Sequence, residues 1–508
     1  MSMNPNLFAA FEALALEAGE APMLDTEVGT VLSYAQMLDL TARYANLLNR
    51  LGVGAGQRIA VQVDKSAENL CLYLAALRVG AIYLPLNPAY QAGELAYFLA
   101  DAEARLFVCA PAEHAAKSAL AARHGVAHTL SLDQDGGGTL SELAAAEAGH
   151  YATAVVAADA VAVILYTSGT TGRPKGAMLS HANLLSNGLA LTRLWQFGSA
   201  DVLLHALPLF HAHGLLIACH CALLSKSRLL FLKKFQAGQV AALLPRATVM
   251  VGVPTFYTRL LDVPDWRADH MRLFISGSAP LLADTSHAFL RRTGHVLLER
   301  YGMSEAAIIS SNPCAGERRI GSVGPALDGV ELRIADAADR PLPCGAVGAI
   351  QIRGEGVMQG YWRQPALTAA EFCADGWFRT GDLGTLAPDG YLSIVGRARD
   401  MVISGACNVY PKEVEMAIDA LPGVLESAVI GVPDRDLGEA VTAIVVCRGT
   451  PLQPQAVIAA LKTVLANYKI PKHVHLVVAL PRNAMGKVQK NVLRDTYGKP
   501  ATTNFASK

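Results

Sequence analysis

Apolar positions recur along this chain at two alternating spacings. Residues 34–51, 68–79, 214–224 and 237–244 repeat them at helical intervals, while 58–63, 81–85, 201–207, 228–232 and 249–253 are short apolar runs. That alternation predicts βαβ units, whose parallel strands need helices on both faces. The expected class is α/β, with two doubly wound layers ahead of about residue 320. Residues 321–395 differ: Gly, Pro and Asp separate β-type runs at 330–334, 348–353 and 390–395, which predicts a small β-rich unit. From Arg399-Asp400 onward, helices at 411–420 and 453–466 and strands at 426–432 and 440–447 predict a separate α+β domain. The expected division is 1–398, a junction at 399–400, and 401–508.

Composition narrows the partners. The 508 residues carry 43 Lys+Arg against 43 Asp+Glu, so nucleic acid and anionic membrane are not expected as partners. Nine cysteines, an odd number without a CxxC pair, fit buried thiols in a reducing compartment. The opening MSMNPNLFAAFEAL reads as an amphipathic helix, without the basic region and long apolar core of a signal peptide. Residues 202–225 lack Asp, Glu, Lys and Arg, but Pro208, Gly214 and four histidines argue for buried protein elements over a membrane span. A cytoplasmic protein is expected. The cluster His205, His211, His213, Cys219, His220 and Cys221 matches no structural zinc spacing and reads mostly as core.

The densest chemistry is YTSGTTGRPKG at 166–176, after the apolar run 160–166. Four Ser/Thr hydroxyls, three glycines and two cations there suit a loop that wraps phosphates. It is not the GxxxxGK[ST] loop, because Gly172 is followed by Arg173-Pro174-Lys175. Other segments are ambiguous singly. Tyr301-Gly302-Met303-Ser304-Glu305 suits a phosphate with its magnesium, or an ordinary strand-to-helix turn. Ser276–Pro280 suits a flat ligand against backbone, or a tight connection. Thr380-Gly381-Asp382 suits a ribose, or a turn aspartate. Lys487 in PRNAMGK reads alone as an exposed loop lysine.

Taken in order, YTSGTTGRPKG, ERYGMSE, TGD, GRARD, SGACNVYP and PRNAMGK resemble the adenylate-forming acyl-CoA synthetase superfamily over most of the chain. The resemblance implies MgATP and coenzyme A as co-substrates, an acyl-AMP intermediate and a mobile C-terminal domain. It implies that Thr167, Ser168, Gly169, Thr170, Thr171, Gly172 and Lys175 hold the β/γ-phosphates, and that Thr167 and Glu305 serve Mg²⁺. Ser278, Ala279, Glu299, Arg300, Tyr301, Gly302, Met303 and Ser304 would line the nucleotide, with Asp382 and Arg397 on the ribose. Lys487 would be the catalytic lysine and Asp400 the hinge. Ser404, Gly405 and Ala406 would line the path of CoA.

The stretches HALPLFHAHGLL, GVPTFYTRLL, MRLFISGSAPLLADT and ERYGMSE look like the malonyl-CoA synthetase subgroup. That resemblance implies malonate, with methylmalonate also accepted. A dicarboxylate keeps one charge beside the reacting carboxylate, and a buried unpaired charge is costly, so a cation is needed. Arg259 is the candidate cation, with Ser278 adding a hydrogen bond, small Gly277 and Met303 shaping the pocket, and His211 orienting the acid. A ligase for another short acid, a carrier-protein loader and a non-catalytic nucleotide binder remain alternatives. Three positions depart from the subgroup: Ala406-Cys407 stand where a second glycine and an aromatic residue are usual, and Ala306 where threonine is common.

Overall fold

The computed structural model describes residues 4–27, 29, 31–168, 174–404, 407–434, 437–449, 452–462, 464–483 and 486–498. It comprises two compact units: Met1–Glu331 with Ile352–Phe378, and Leu332–Gln351 with Arg379–Lys508.

Two sheets organise the first unit. One runs, edge to edge, through Gly360–Tyr361, Pro174–Ser180, Val161–Ser168, Ile82–Pro85, Arg58–Gln62, Leu106–Cys109 and His128–Ser131. The other runs through Ala307–Ser311, Leu298–Met303, Leu273–Ser276, Val249–Gly252, Val202–His205, Arg228–Phe231, Pro22–Thr26 and Val31–Ser33. Their central strands are parallel, and Ile82–Pro85 and Leu106–Cys109 are buried throughout, as strands covered on both faces must be. The helix Ala67–Arg78 is buried from Asn69 onward; its apolar positions surround the axis, which only an interior helix tolerates. Ser66 starts it by accepting the Asn69 N–H. This is the two-layer α/β arrangement that the spacing of apolar runs predicts.

The second unit holds most of a four-stranded sheet, ordered Val330–Ala335, Gly348–Gly354, Phe378–Leu386 and Leu392–Arg397. A five-stranded sheet follows it, with Val424–Asp434 and Gly438–Cys447 as its long antiparallel pair. Val414 and Ile418 of the helix Pro411–Asp419 pack with Val457 and Leu461 of Pro454–Leu461 over Val429, Val441 and Val445.

Local readings change in two places. Ser304-Glu305 does not open a helix. Met303 pairs with Ala307, so these residues sit at the tip of an antiparallel hairpin, and Gly302 allows it: a Cβ there would lie 2.0 Å from the Ala307 oxygen. The helical stretch 214–224 begins as a π-helix, His213–Cys219, before the α-helix His220–Ser225. Among the described residues, no helix is long and apolar enough to cross a membrane.

Candidate active site

The phosphate segment is a hairpin. Val161–Ser168 pairs antiparallel with Pro174–Ser180, and Thr167 lies opposite Lys175. Gly169, Thr170, Thr171 and Gly172 lie outside the described residues, as does the side chain of Ser168. Thr167 Oγ1 lies 3.4 Å from Glu305 Oε1, which also accepts the Tyr361 hydroxyl at 3.1 Å. Lys175, buried, pairs with Glu371 at 3.0 Å and stands 4.3 Å from the centre of the Tyr361 ring. The hairpin base thus gathers a lysine, a hydroxyl and a buried carboxylate. A carboxylate and a hydroxyl are the hard oxygen donors that Mg²⁺ takes together with phosphate oxygens, so Glu305 and Thr167 fit that ion. Bound there, Mg²⁺ supplies neutralisation of phosphate charge.

A second cluster forms where parallel strands end. Leu273–Ser276 runs beside Leu298–Met303, with Ser276 opposite Glu299, which brings Gly277-Ser278 against Arg300. Gly277 leaves room for the guanidinium, because a Cβ would lie 2.4 Å from the Cζ and Nε of Arg300 and would displace them. Ser278 adopts φ +70, a left-handed conformation that non-glycine residues rarely take and that recurs at functional sites. Its Oγ lies 3.1 Å from His213 Nδ1 and accepts from Arg300 Nη2 at 3.5 Å.

Arg300 and His213 are both buried, and among the described residues Arg300 Nε and His213 Nε2 have no hydrogen-bond partner. Arg300 can only donate, so the Ser278 hydrogen is free for His213 Nδ1. That polarity puts the imidazole proton on Nε2. Two N–H groups beside one buried positive charge are then left to donate. Burial pulls the Arg300 guanidinium down to about 9. Burial, with the Arg300 charge added, pushes His213 well below the usual imidazole range and keeps it neutral.

His211 shares the wall of a small cleft with Ser304, Leu86, Tyr90 and Tyr166. Among the described residues its Nε2 also has no partner, and burial lowers its pKa to about 4. Tyr301 and Met303 lie half-buried on the same strand as Arg300, and Ala279 is half-buried after Ser278. Glu299 accepts the Gly321 N–H at 3.0 Å. Arg259 does not join the cluster: it stands exposed on the helix Pro254–Leu261, whose buried Tyr257 donates to the Ile275 oxygen.

The second unit brings together the residues expected near the ribose. Asp382 is buried, pairs with Arg397 across neighbouring strands, and lies 3.1 Å from its Nε. Lys487 is close enough to both to feel their charges. Burial first, then Arg397, lowers its ammonium to about 8, against the pull of Asp382. Asp400 accepts from Arg494 at 2.7 Å; burial opposes its ionisation, but that bond and the charges of Lys490 and Arg494 hold it below the usual carboxylate range. Ser404 is buried at the end of Val402–Ser404, and Gly405 and Ala406 lie outside the described residues.

Sequence reading passed over three members of these clusters. Tyr361 and Glu371 attach to Lys175 from distant segments and carry no motif. His213 stood among the clustered histidines and was read as core; its signal was position, two residues after His211.

Comparison with known proteins agrees with this geometry. Residues 11–362 match the AMP-binding enzyme family, and 413–487 match the AMP-binding enzyme C-terminal domain. Feruloyl-CoA synthase of an Amycolatopsis species is 37% identical over 478 residues, covering 92% of this chain and 95% of that protein. Malonate–CoA ligase of Arabidopsis thaliana is 34% identical over 477 residues, covering 86% and 78%. The crystal structure of ATP-bound MatB from Rhodopseudomonas palustris superposes with a TM-score of 0.95 at 49% identity, covering 98% of this chain and 99% of that one. With both halves matched and the phosphate hairpin in place, the chain belongs to the AMP-binding enzymes, as an AMP-forming acyl-CoA ligase that uses ATP, Mg²⁺ and coenzyme A.

Proposed function

We propose that the acid is malonate, with methylmalonate accepted as well. The enzyme forms malonyl-AMP with release of pyrophosphate and then passes the malonyl group to CoA. The observation that carries this reading is buried Arg300 and His213 meeting at half-buried Ser278. A feruloyl group offers that set no anion, and a neutral acyl tail would leave both N–H groups unpaired, at about 1–3 kcal/mol each. A second carboxylate takes both and balances the Arg300 charge. Gly277 supports the same reading, since its missing side chain is the room the guanidinium fills. Arg259, exposed on the helix Pro254–Leu261, is proposed as a supporting cation that meets the acid on entry.

The steps then divide among the residues. One carboxylate oxygen of malonate attacks the α-phosphorus of ATP; the new O–P bond forms as the bond to pyrophosphate breaks. Lys175 and the hairpin hydroxyls hold the departing phosphates, and Ser304 meets the α-phosphate. Asp382 and Arg397 hold the ribose. Lys487 spans the attacking carboxylate and the α-phosphate, where charge accumulates, so its cation lowers the barrier. In the second step the CoA sulfur attacks the acyl carbon and AMP departs, along a path that includes Ser404, Gly405 and Ala406.

The test is ATP-dependent AMP formation with malonate, methylmalonate, acetate and succinate, each with and without CoA. Malonate with CoA should be the fastest. Losing one charge-assisted contact costs about 1.5–3 kcal/mol, so Arg300→Met should raise the malonate KM about 100-fold. If acetate outruns malonate, or Arg300→Met leaves malonate use unchanged, the dicarboxylate reading fails. Arg259→Ala should cost about ten-fold or less, as an exposed charge does.

A further inference from the structure

The first unit also holds a buried lysine that none of the roles above uses, its pKa pulled well below the usual ammonium range by burial. Lys65 follows the strand Arg58–Gln62 and is buried. Its Nζ lies 2.6 Å from His205 Nδ1, 2.8 Å from the His205 carbonyl oxygen and 4.0 Å from the centre of the Phe231 ring. His205 ends the strand Val202–His205 in the other sheet, so this contact links the two layers of the first unit. No carboxylate forms an ion pair with Lys65 among the described residues. Burying a lysine without one is costly, and an apolar side chain would join the layers at less expense in free energy.

What a lysine adds is polarity. On the far side of the ring, His205 Nε2 lies 2.9 Å from the Gly214 carbonyl oxygen. A carbonyl only accepts, so Nε2 carries the proton. In the neutral ring Nδ1 is then a lone pair and takes the Lys65 N–H. Burial pushes His205 well below the usual imidazole range and holds it neutral. The donated bonds therefore run one way, from Lys65 to His205 to Gly214.

Gly214 lies in the first turn of the π-helix, a rare conformation concentrated at functional sites. Its N–H and that of Leu215 both donate to the His211 oxygen, at 3.1 and 3.0 Å. A side chain at 214 would lie 2.1 Å from the Pro208 oxygen, so the turn from Pro208 to Gly214 is closed tightly on itself. That turn carries His211, and it carries His213, which meets Ser278.

We propose that Lys65 and His205 are positioning residues for acid activation: together they fix the Gly214 carbonyl, and with it the turn that presents His211 and His213 to the acid. Neither touches substrate. The inference rests on the acid cluster proposed above, and its test separates the two.

The full-length chain is compared with Lys65→Met, His205→Leu, His205→Gln and Arg300→Met, measuring malonate KM, ATP KM and melting temperature. Methionine fills the lysine's volume but donates nothing. Glutamine can still accept from Lys65 through Oε1 and donate to Gly214 through Nε2; leucine can do neither. Networks of this kind modulate binding by a few-fold to tens of fold, so Lys65→Met and His205→Leu should raise malonate KM about five-fold or more. ATP KM should stay within about two-fold, the melting temperature of Lys65→Met should not fall, and His205→Gln should stay near wild type. The proposal is overturned if malonate KM is unmoved in both Lys65→Met and His205→Leu. It is also overturned if both KM values and the melting temperature shift together, or if glutamine does no better than leucine. Loss of malonate use in Arg300→Met with silent Lys65 and His205 variants defeats the positioning role alone. An unaffected Arg300→Met defeats the acid cluster itself.

Discussion

Single atoms carry most of the proposed selectivity. Gly277 is the sharpest case, because the space where its Cβ would stand is filled by Arg300. Gly277→Ala should displace the guanidinium and raise malonate KM about ten-fold or more while ATP KM changes little, since overpacking of this sort costs about 1–3 kcal/mol. Steady-state kinetics on the purified variant checks it; an unchanged malonate KM would mean that Arg300 is not held where the acid needs it. Lys487 gives a prediction in pH. Its ammonium titrates near about 8, and the cation is the active form, so kcat/KM for adenylate formation should fall as pH rises through that value. The thiol step, started from preformed malonyl-AMP, should lack that limb; a limb in both steps would assign the titration elsewhere. At this scale the sequence is most legible where candidate chemistry is consecutive, as at Thr167 and Lys175, which the structure sets opposite each other. The acid role proposed for Arg300 has no such consecutive signal, because its partners Ser278 and His213 come from other segments. Arg259 was favoured for its residue type, which carries no information about burial.

Elements add constraints that no residue shows alone. The helix Pro411–Asp419 ends on a carboxylate, where the helix dipole is already negative. Burial raises Asp419 to about 6; the Ser427 hydrogen bond opposes the rise, and the nearby Glu415 and Glu426 charges add to it. A carboxyl whose folded pKa lies above its unfolded value favours folding while protonated, and that contribution is lost as pH rises through about 6. Asp419→Asn should therefore stabilise the protein by about 2 kcal/mol at pH 8 and by little below about pH 4. Thermal melts at both pH values check this, and an equal gain at both would exclude titration as the cause. Most elements followed from spacing, including the buried helix Ala67–Arg78. The hairpin at Ser304-Glu305 and the π-helix at His213–Cys219 did not, because each depends on a close backbone approach, at Gly302 and Gly214, that a linear pattern does not encode.

For the whole molecule, the first unit holds the phosphate hairpin and the acid cluster, and the second holds Asp382, Arg397 and Lys487. If Lys487 serves only the first half-reaction, Lys487→Ala should lower adenylate formation about 100-fold or more while sparing thiol transfer from preformed malonyl-AMP. Equal loss in both halves would remove that assignment. The amino-acid sequence by itself determined the α/β class, the family and the nucleotide-handling chemistry. Periodicity, glycine and hydroxyl content, and motif order are local properties that survive without coordinates. The tertiary structure decided which cation is buried beside Ser278, which histidine meets it, and that Lys65 reaches His205 from the opposite sheet. A buried charge is defined by what surrounds it, and those neighbours converge only when the strand ends are brought together by folding.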